Sequence, residues 1–214
     1  MALSQEQQAI ELILRAKRIL VVTKQPPTVD ALSSVVGVLL FLNKCNKTVD
    51  AVVPDFDPAQ LPAFLPRAKN MRPALGAIRA FEITLDVSAN PLDDLHYDVK
   101  DGKLFITVVP KNGEWSPKDV TFRHGEDRYD LVIALDCPDT QALGSLFQEH
   151  ADFLYRTPVM NIDRDPGNEY WGQINLVDLT AVSSSEILFG LFSRWNRNLV
   201  DEDIATALLA GMID

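Results

Sequence analysis

The chain has 214 residues, with 30 acidic against 20 basic side chains, a formal charge of −10, and 47% hydrophobic residues. This composition excludes global disorder, and the length suits one α/β domain with room for a small insertion. The acidic balance excludes a broad basic surface for long duplex nucleic acid, so a small anionic ligand would need a local cationic or metal site.

The opening residues MALSQEQQAIELILRAKRI lack a basic start followed by a long apolar run. They read as an amphipathic helix over residues 4–17, capped by Ser4, and not as a secretory leader. RILVVT is apolar without alternation, the pattern of a parallel strand buried on both faces. The prolines of KQPPT bar helix, and Thr28 is placed to cap a helix from Val29 to Lys44. That helix holds the longest apolar run, Val35 to Leu42, which Gly37 interrupts and which is too short to cross a bilayer. TVDAVVP is a second buried strand, and LPAFLPRAKN reads as a short, proline-broken helical connection.

The rhythm then changes. FEITLDV, LHYDV, KLFITVVP and DVTF are short alternating runs separated by Asn-Pro, Asp-Gly and Asn-Gly, and Asp101-Gly102 is a hairpin signal. Residues 81–122 are therefore expected to form an antiparallel β-meander inserted into a domain spanning 1–214. DLVIALD resumes the buried strands, with a helix after it through Leu146, and TPVMNID is a fourth. Ser183 and Glu186 have capping-box spacing before SSSEILFGLFSRW, and Asp201 precedes a last helix, DEDIATALLAGMI. The expected fold class is α/β: a doubly wound parallel sheet with flanking helices and the inserted meander. Cys45 and Cys137 form no C-x-x-C pair and read as reduced, buried thiols of a cytoplasmic protein.

In such a sheet the active crevice lies beyond the carboxyl ends of the strands. Three strand ends carry polar groups there: Lys24 with the loop to Asp30, Asp136, and Asp163-Arg164-Asp165. Converging carboxylates suit a hard divalent cation and repel one another without a compensating charge. Each also has a plainer reading. Asp30 suits a first helical turn, Asp136 a turn before Pro138, and Asp163 to Asn168 a polar loop.

These segments resemble the DHH (Asp-His-His) phosphoesterases. ILVVTKQPPTVDALSS is similar to that family's first motif, T-H-x-x-P-D-x-D-A. DLVIALDCPDTQALG is similar to the second, VMNIDRDPGNEYWGQINLVDLTAVSSSEIL to the third, and IATALLAGMID to the fourth. The resemblance implies two manganese ions, a bridging water as nucleophile, and phosphoester substrates such as short oligonucleotides, cyclic dinucleotides or polyphosphate. Carried across, the first-motif His is Lys24 and its Asp residues are Thr28 and Asp30; the second-motif Asp is Asp136. The third motif keeps Asp163 but holds Arg164 and Asp165 in place of two histidines, and the fourth-motif Asp is Asp214. His96, His124 and His150 lie elsewhere. Ending within the fourth motif, with no Gly-rich His-containing loop, suggests a chain truncated before a substrate domain.

Two cations at ligand positions point to an internal salt-bridge network in place of the metals, with Lys24 or Arg164 reaching two of Asp30, Asp136 and Asp163. The leading expectation is then a silent family member that binds phosphate, nucleotide or a short oligonucleotide through Lys24, Thr28, Arg164 and Asn168, with no cofactor. The alternative is an active phosphodiesterase holding one manganese or magnesium on Asp30, Asp136 and Asp214, with Asp163 or Asp165 orienting water. A third reading gives the insert to a protein partner or to self-association, anchored by Tyr97, Phe105 and Trp115, although these read first as the insert's own small core. No membrane is expected.

Overall fold

A computed structural model describes residues 3–57, 65 and 70–213. The chain divides into two compact units, one of residues Met1–Ile78 with Asp127–Asp214 and one of Arg79–Glu126.

In the first unit the helices are α1 (Gln5–Arg15), α2 (Val29–Lys44), α3 (Ser145–Arg156), α4 (Ser184–Asn196) and α5 (Glu202–Met212). Its strands are β1 (Arg18–Thr23), β2 (Thr48–Val52), β3 (Met71–Arg72), β8 (Leu131–Leu135), β9 (Val159–Asp163) and β10 (Ile174–Val177). They form one six-stranded sheet of order β10-β9-β8-β1-β2-β3, parallel throughout. Alternate residues of each central strand enter different cores. Ile19 and Val21 pack with Val35, Leu39, Leu188 and Ile204, whereas Leu20 and Val22 pack with Leu146, Phe153 and Leu154. This double burial is the reason RILVVT and LVIAL carry no polar alternation.

Caps fix the helix starts. Ser4 and Gln7 make a reciprocal capping box, and Thr28, Ser183 and Asp201 each accept a first-turn N–H. Glu186 departs from its expected role: its carboxylate accepts from Val182 N at 2.7 Å, one residue short of the Ser183 N–H that a capping box requires. The helix expected to run through Leu146 instead begins at Ser145, after a 3₁₀ turn over Gln141–Leu143. Gly144, with φ 56°, breaks the two apart. Only Leu65 and Asn70 of the expected 61–70 connection lie within the described residues. Neither thiol is in a disulfide; Cys137 is buried, whereas Cys45 is partly exposed, against expectation.

The second unit holds β4 (Arg79–Leu85), β5 (Leu92–Lys100), β6 (Lys103–Pro110) and β7 (Val120–Asp127, whose last residue falls in the first unit). Its pairing is nested: β4 pairs with β7, and β5 runs antiparallel to β6 within them. Phe81 and Phe122 stack across β4 and β7, with an Arg123–Glu82 ion pair at 2.6 Å. Tyr97 and Phe105 are exposed and so form no core of this unit, while Trp115 is half-buried.

Candidate functional site

The chain leaves β1 for β2 and β3 on one side of the sheet, then returns to β8, β9 and β10 on the other. The crevice beyond the carboxyl ends of β1 and β8 is therefore the topological switch point, where open α/β sheets bind ligands. Lys24 follows β1 and Asp136 follows β8. Asp136 adopts φ 57°, a left-handed conformation that costs a non-glycine residue about 1 kcal/mol or more.

Asp136 Oδ2 meets Lys24 Nζ at 2.7 Å and accepts from Thr28 Oγ1 at 2.8 Å. Thr28 Oγ1 simultaneously accepts from Ala31 N at 3.1 Å, so one hydroxyl caps α2 and orients the carboxylate. The loop carrying Lys24 is bolted down by Gln25. Its N–H donates to the Ala142 carbonyl, its Nε2 to Asp55 Oδ2 at 2.7 Å, and its Oε1 accepts from Ser145 N at 2.9 Å. A Cβ at Gly144 would collide with the Gln25 side chain.

Asp30 is buried, and both of its oxygens accept hydrogen bonds. Its Oδ2 accepts from Ser184 N at 2.8 Å, and its Oδ1 from Ser185 N at 3.1 Å, Ser185 Oγ at 2.8 Å and Ser34 Oγ at 3.3 Å. The carboxylate thus sits on the N-terminus of α4, where the helix dipole favours negative charge. α5 presses against the same group: a Cβ on Gly211 would come within 2.7 Å of Asp30 Oδ1 and closer still to Ser185 Oγ.

Asp163 closes β9 and is completely buried. Its Oδ1 accepts from Arg164 N at 2.7 Å and Asp165 N at 3.2 Å, and its Oδ2 from Asn168 Nδ2 at 2.7 Å. Burial raises its pKa above the ordinary carboxyl value; the three hydrogen bonds oppose the shift, and the Asp136 charge adds to it. Behind it the Cys137 carbonyl accepts from Asn161, Trp171 and Asn168. Complete burial, with Asp136 and Asp163 nearby, pushes the Cys137 thiol well up. Arg164 and Asp165 are exposed. Asp165 Oδ1 accepts from Gly167 N at 2.7 Å, and the Arg164 guanidinium has no partner among the described residues.

The structure therefore brings Lys24, Thr28 and Asp136 together, and Asp163 with Asn168. The expected cation bridging two carboxylates is met at one only: Lys24 reaches Asp136, while neutral donors hold Asp30 and Asp163. The physical reason is that α4 and the 164–168 turn supply enough N–H groups to satisfy those acids without a counter-ion. Asp214 lies outside the described residues. His96 and His124 belong to the second unit, and His150 lies within α3. The partners Ser34, Asn161 and Trp171 carried no sequence signal, since each meets its acid or carbonyl through tertiary packing, and Ser184 and Ser185 stood only within a run read as a helix cap.

Two metal ions do not fit this donor set. Two of the positions that the resemblance assigns to ligands hold an ammonium and a guanidinium, and Asp30 Oδ1 and Asp136 Oδ2 already accept from donors at hydrogen-bond distance. Among the described residues no three His, Cys, Asp or Glu side chains are grouped to hold an ion.

Comparison with known proteins bears on the whole chain. None of the curated proteins matches it. The crystal structure of an exopolyphosphatase-related protein from Bacteroides fragilis superposes with a TM-score of 0.61 at 17% identity, over 99% of this chain and 50% of that one. The chain thus spans about half the length of that protein, and the likeness is one of fold. The sequence model described as DHH family, N-terminal domain, matches residues 18–212, a span that takes in the sheet, the crevice and the second unit. The chain belongs to the DHH family and carries that family's N-terminal domain.

Proposed function

We propose that the β1/β8 crevice binds a phosphate-containing ligand (a nucleotide, a short oligonucleotide or a phosphate chain) and has given up two-metal hydrolysis. The observation that carries this reading is the Lys24 ammonium at 2.7 Å from Asp136 Oδ2, a cation where a metal would otherwise neutralise that acid. Asp30 is offset by the α4 N-terminus, and Arg164, exposed in the turn that follows β9, has no charge partner among the described residues. A free guanidinium offers a bidentate fork to phosphate oxygens, and Lys24, with its side chain 29% exposed, keeps spare N–H donors. The neighbour described as exopolyphosphatase-related fits the same ligand class.

The single-metal alternative sets a cation beside the Lys24 ammonium that already neutralises Asp136, and draws Asp30 off the donors of α4, so it is the weaker reading. The two unpaired thiols suit a reducing, cytoplasmic setting. The apolar strands of residues 79–126 are a separate surface for protein contact.

Calorimetric titration with pyrophosphate and with a dinucleotide, in chelator, tests the reading. Saturable binding that is lost in Arg164→Ala and Lys24→Met is the expected result. Manganese-dependent cleavage of the dinucleotide that is abolished by Asp136→Ala overturns it.

A further inference from the structure

β5 and β6 pair only with each other among the described residues, so each keeps one open edge. Leu95, Tyr97 and Val99 lie opposite Val108, Ile106 and Leu104. These six make one hairpin face wholly apolar, and five are exposed, Tyr97 at 73% and Val99 at 64%. Two strands with such a face bury too little to be stable alone, and a contiguous apolar patch marks an interface.

The two edges differ. Asp101 and Gly102 have φ 50° and 70°, a two-residue turn that makes Lys100 and Lys103 the closing hydrogen-bonded pair. Alternation then turns the N–H groups of Leu95, Tyr97 and Val99 to the outer edge of β5, and those of Leu104, Ile106 and Val108 to the outer edge of β6. On β5 those of Leu95 and Val99 donate to the Asp94 and Asp98 carboxylates, each at 2.8 Å, so two acids guard that edge on either side of Tyr97. On β6 the run LFITVV is uncharged and rich in β-branched residues, and no side chain among the described residues accepts from its outer N–H groups. Residues 79–126 hold six Lys and Arg against nine Asp and Glu, which disfavours a polyanionic partner.

We propose that two copies of this chain join through β6, antiparallel about Ile106. That register sets Leu104 against the partner's Val108, Phe105 against the partner's Thr107, and Asp101 against the partner's Lys111. It opposes no like charges, and it makes a four-stranded sheet with one continuous apolar face.

Sedimentation of the full chain up to millimolar concentration tests this, with circular dichroism as a check on folding. The wild type is expected at the mass of two copies, Ile106→Lys at one, and Tyr97→Lys, on the same face but off the β6 edge, at two. The exposed change Lys111→Glu faces the partner's Asp101 and weakens the dimer severalfold even if Ile106→Lys misfolds. A single-copy wild type overturns the proposal. So does dissociation by both Ile106→Lys and Tyr97→Lys, which means face-to-face packing, or by Tyr97→Lys alone, which means the β5 edge.

Discussion

Lys24 Nζ stands 2.7 Å from Asp136 Oδ2 and so ties the end of β1 to the end of β8, the two strands between which the chain reverses its course across the sheet. The pair is only partly exposed, with side chains at 29% and 11%, so truncating one member leaves the other poorly compensated. Lys24→Met is expected to lower stability by about 1–3 kcal/mol in urea melts, because Thr28 still satisfies one lone pair of Asp136. Asp136→Asn should cost less than Lys24→Met, since the charge it leaves alone, on Lys24, is the more exposed of the two and is better solvated.

Asp30→Ala is expected to be more damaging, by about 3–5 kcal/mol, because it strips four donors from one buried acceptor and removes the charge at the α4 N-terminus. Denaturant melts measure this directly. A loss below 1 kcal/mol would mean that Asp30 is not the anchor of α4.

Gly211→Ala inserts a methyl group between Ser185 Oγ and Asp30 Oδ1. Overpacking of this kind costs about 1–3 kcal/mol. Combining it with Ser185→Ala should recover part of the loss, as read from the non-additivity of the two melting shifts.

Much of this framework is legible in the sequence. The buried strands RILVVT and LVIAL announce themselves because both faces meet core, and Thr28 and Asp201 announce helix starts because their side chains cap locally. β10 escapes notice because INLV is a short, half-buried strand at the sheet edge, and β3 because it is two residues long. The α3 start is displaced because a left-handed Gly144 ends one turn before another begins. At the site, Lys24 beside Asp136 follows from strand order. The grip of Ser184 and Ser185 on Asp30 does not, since it joins residues 154 and 155 positions apart.

Tyr129 gives a pH signature. Its hydroxyl donates to Asp50 Oδ2 at 2.8 Å within a cluster completed by Arg72 and Arg128. Burial, and then the bond and charge of Asp50, push its pKa up to about 12. The folded chain therefore holds that proton more tightly than the unfolded chain. Its contribution is fully present below about pH 10 and is lost as pH rises toward 12, by about 2–3 kcal/mol. Ultraviolet titration should show a late phenolate step near pH 12, and Tyr129→Phe should remove it.

The central claim is that the Lys24 ammonium has taken over from metal ions the charge balance of Asp136 in the crevice. The most direct measurement is calorimetric titration of manganese into the chelator-stripped protein, followed by pyrophosphate into the same sample. The account predicts no saturable manganese binding above the buffer background, and pyrophosphate binding that does not depend on manganese. Stoichiometric binding of two manganese ions, lost in Asp136→Ala, would contradict it.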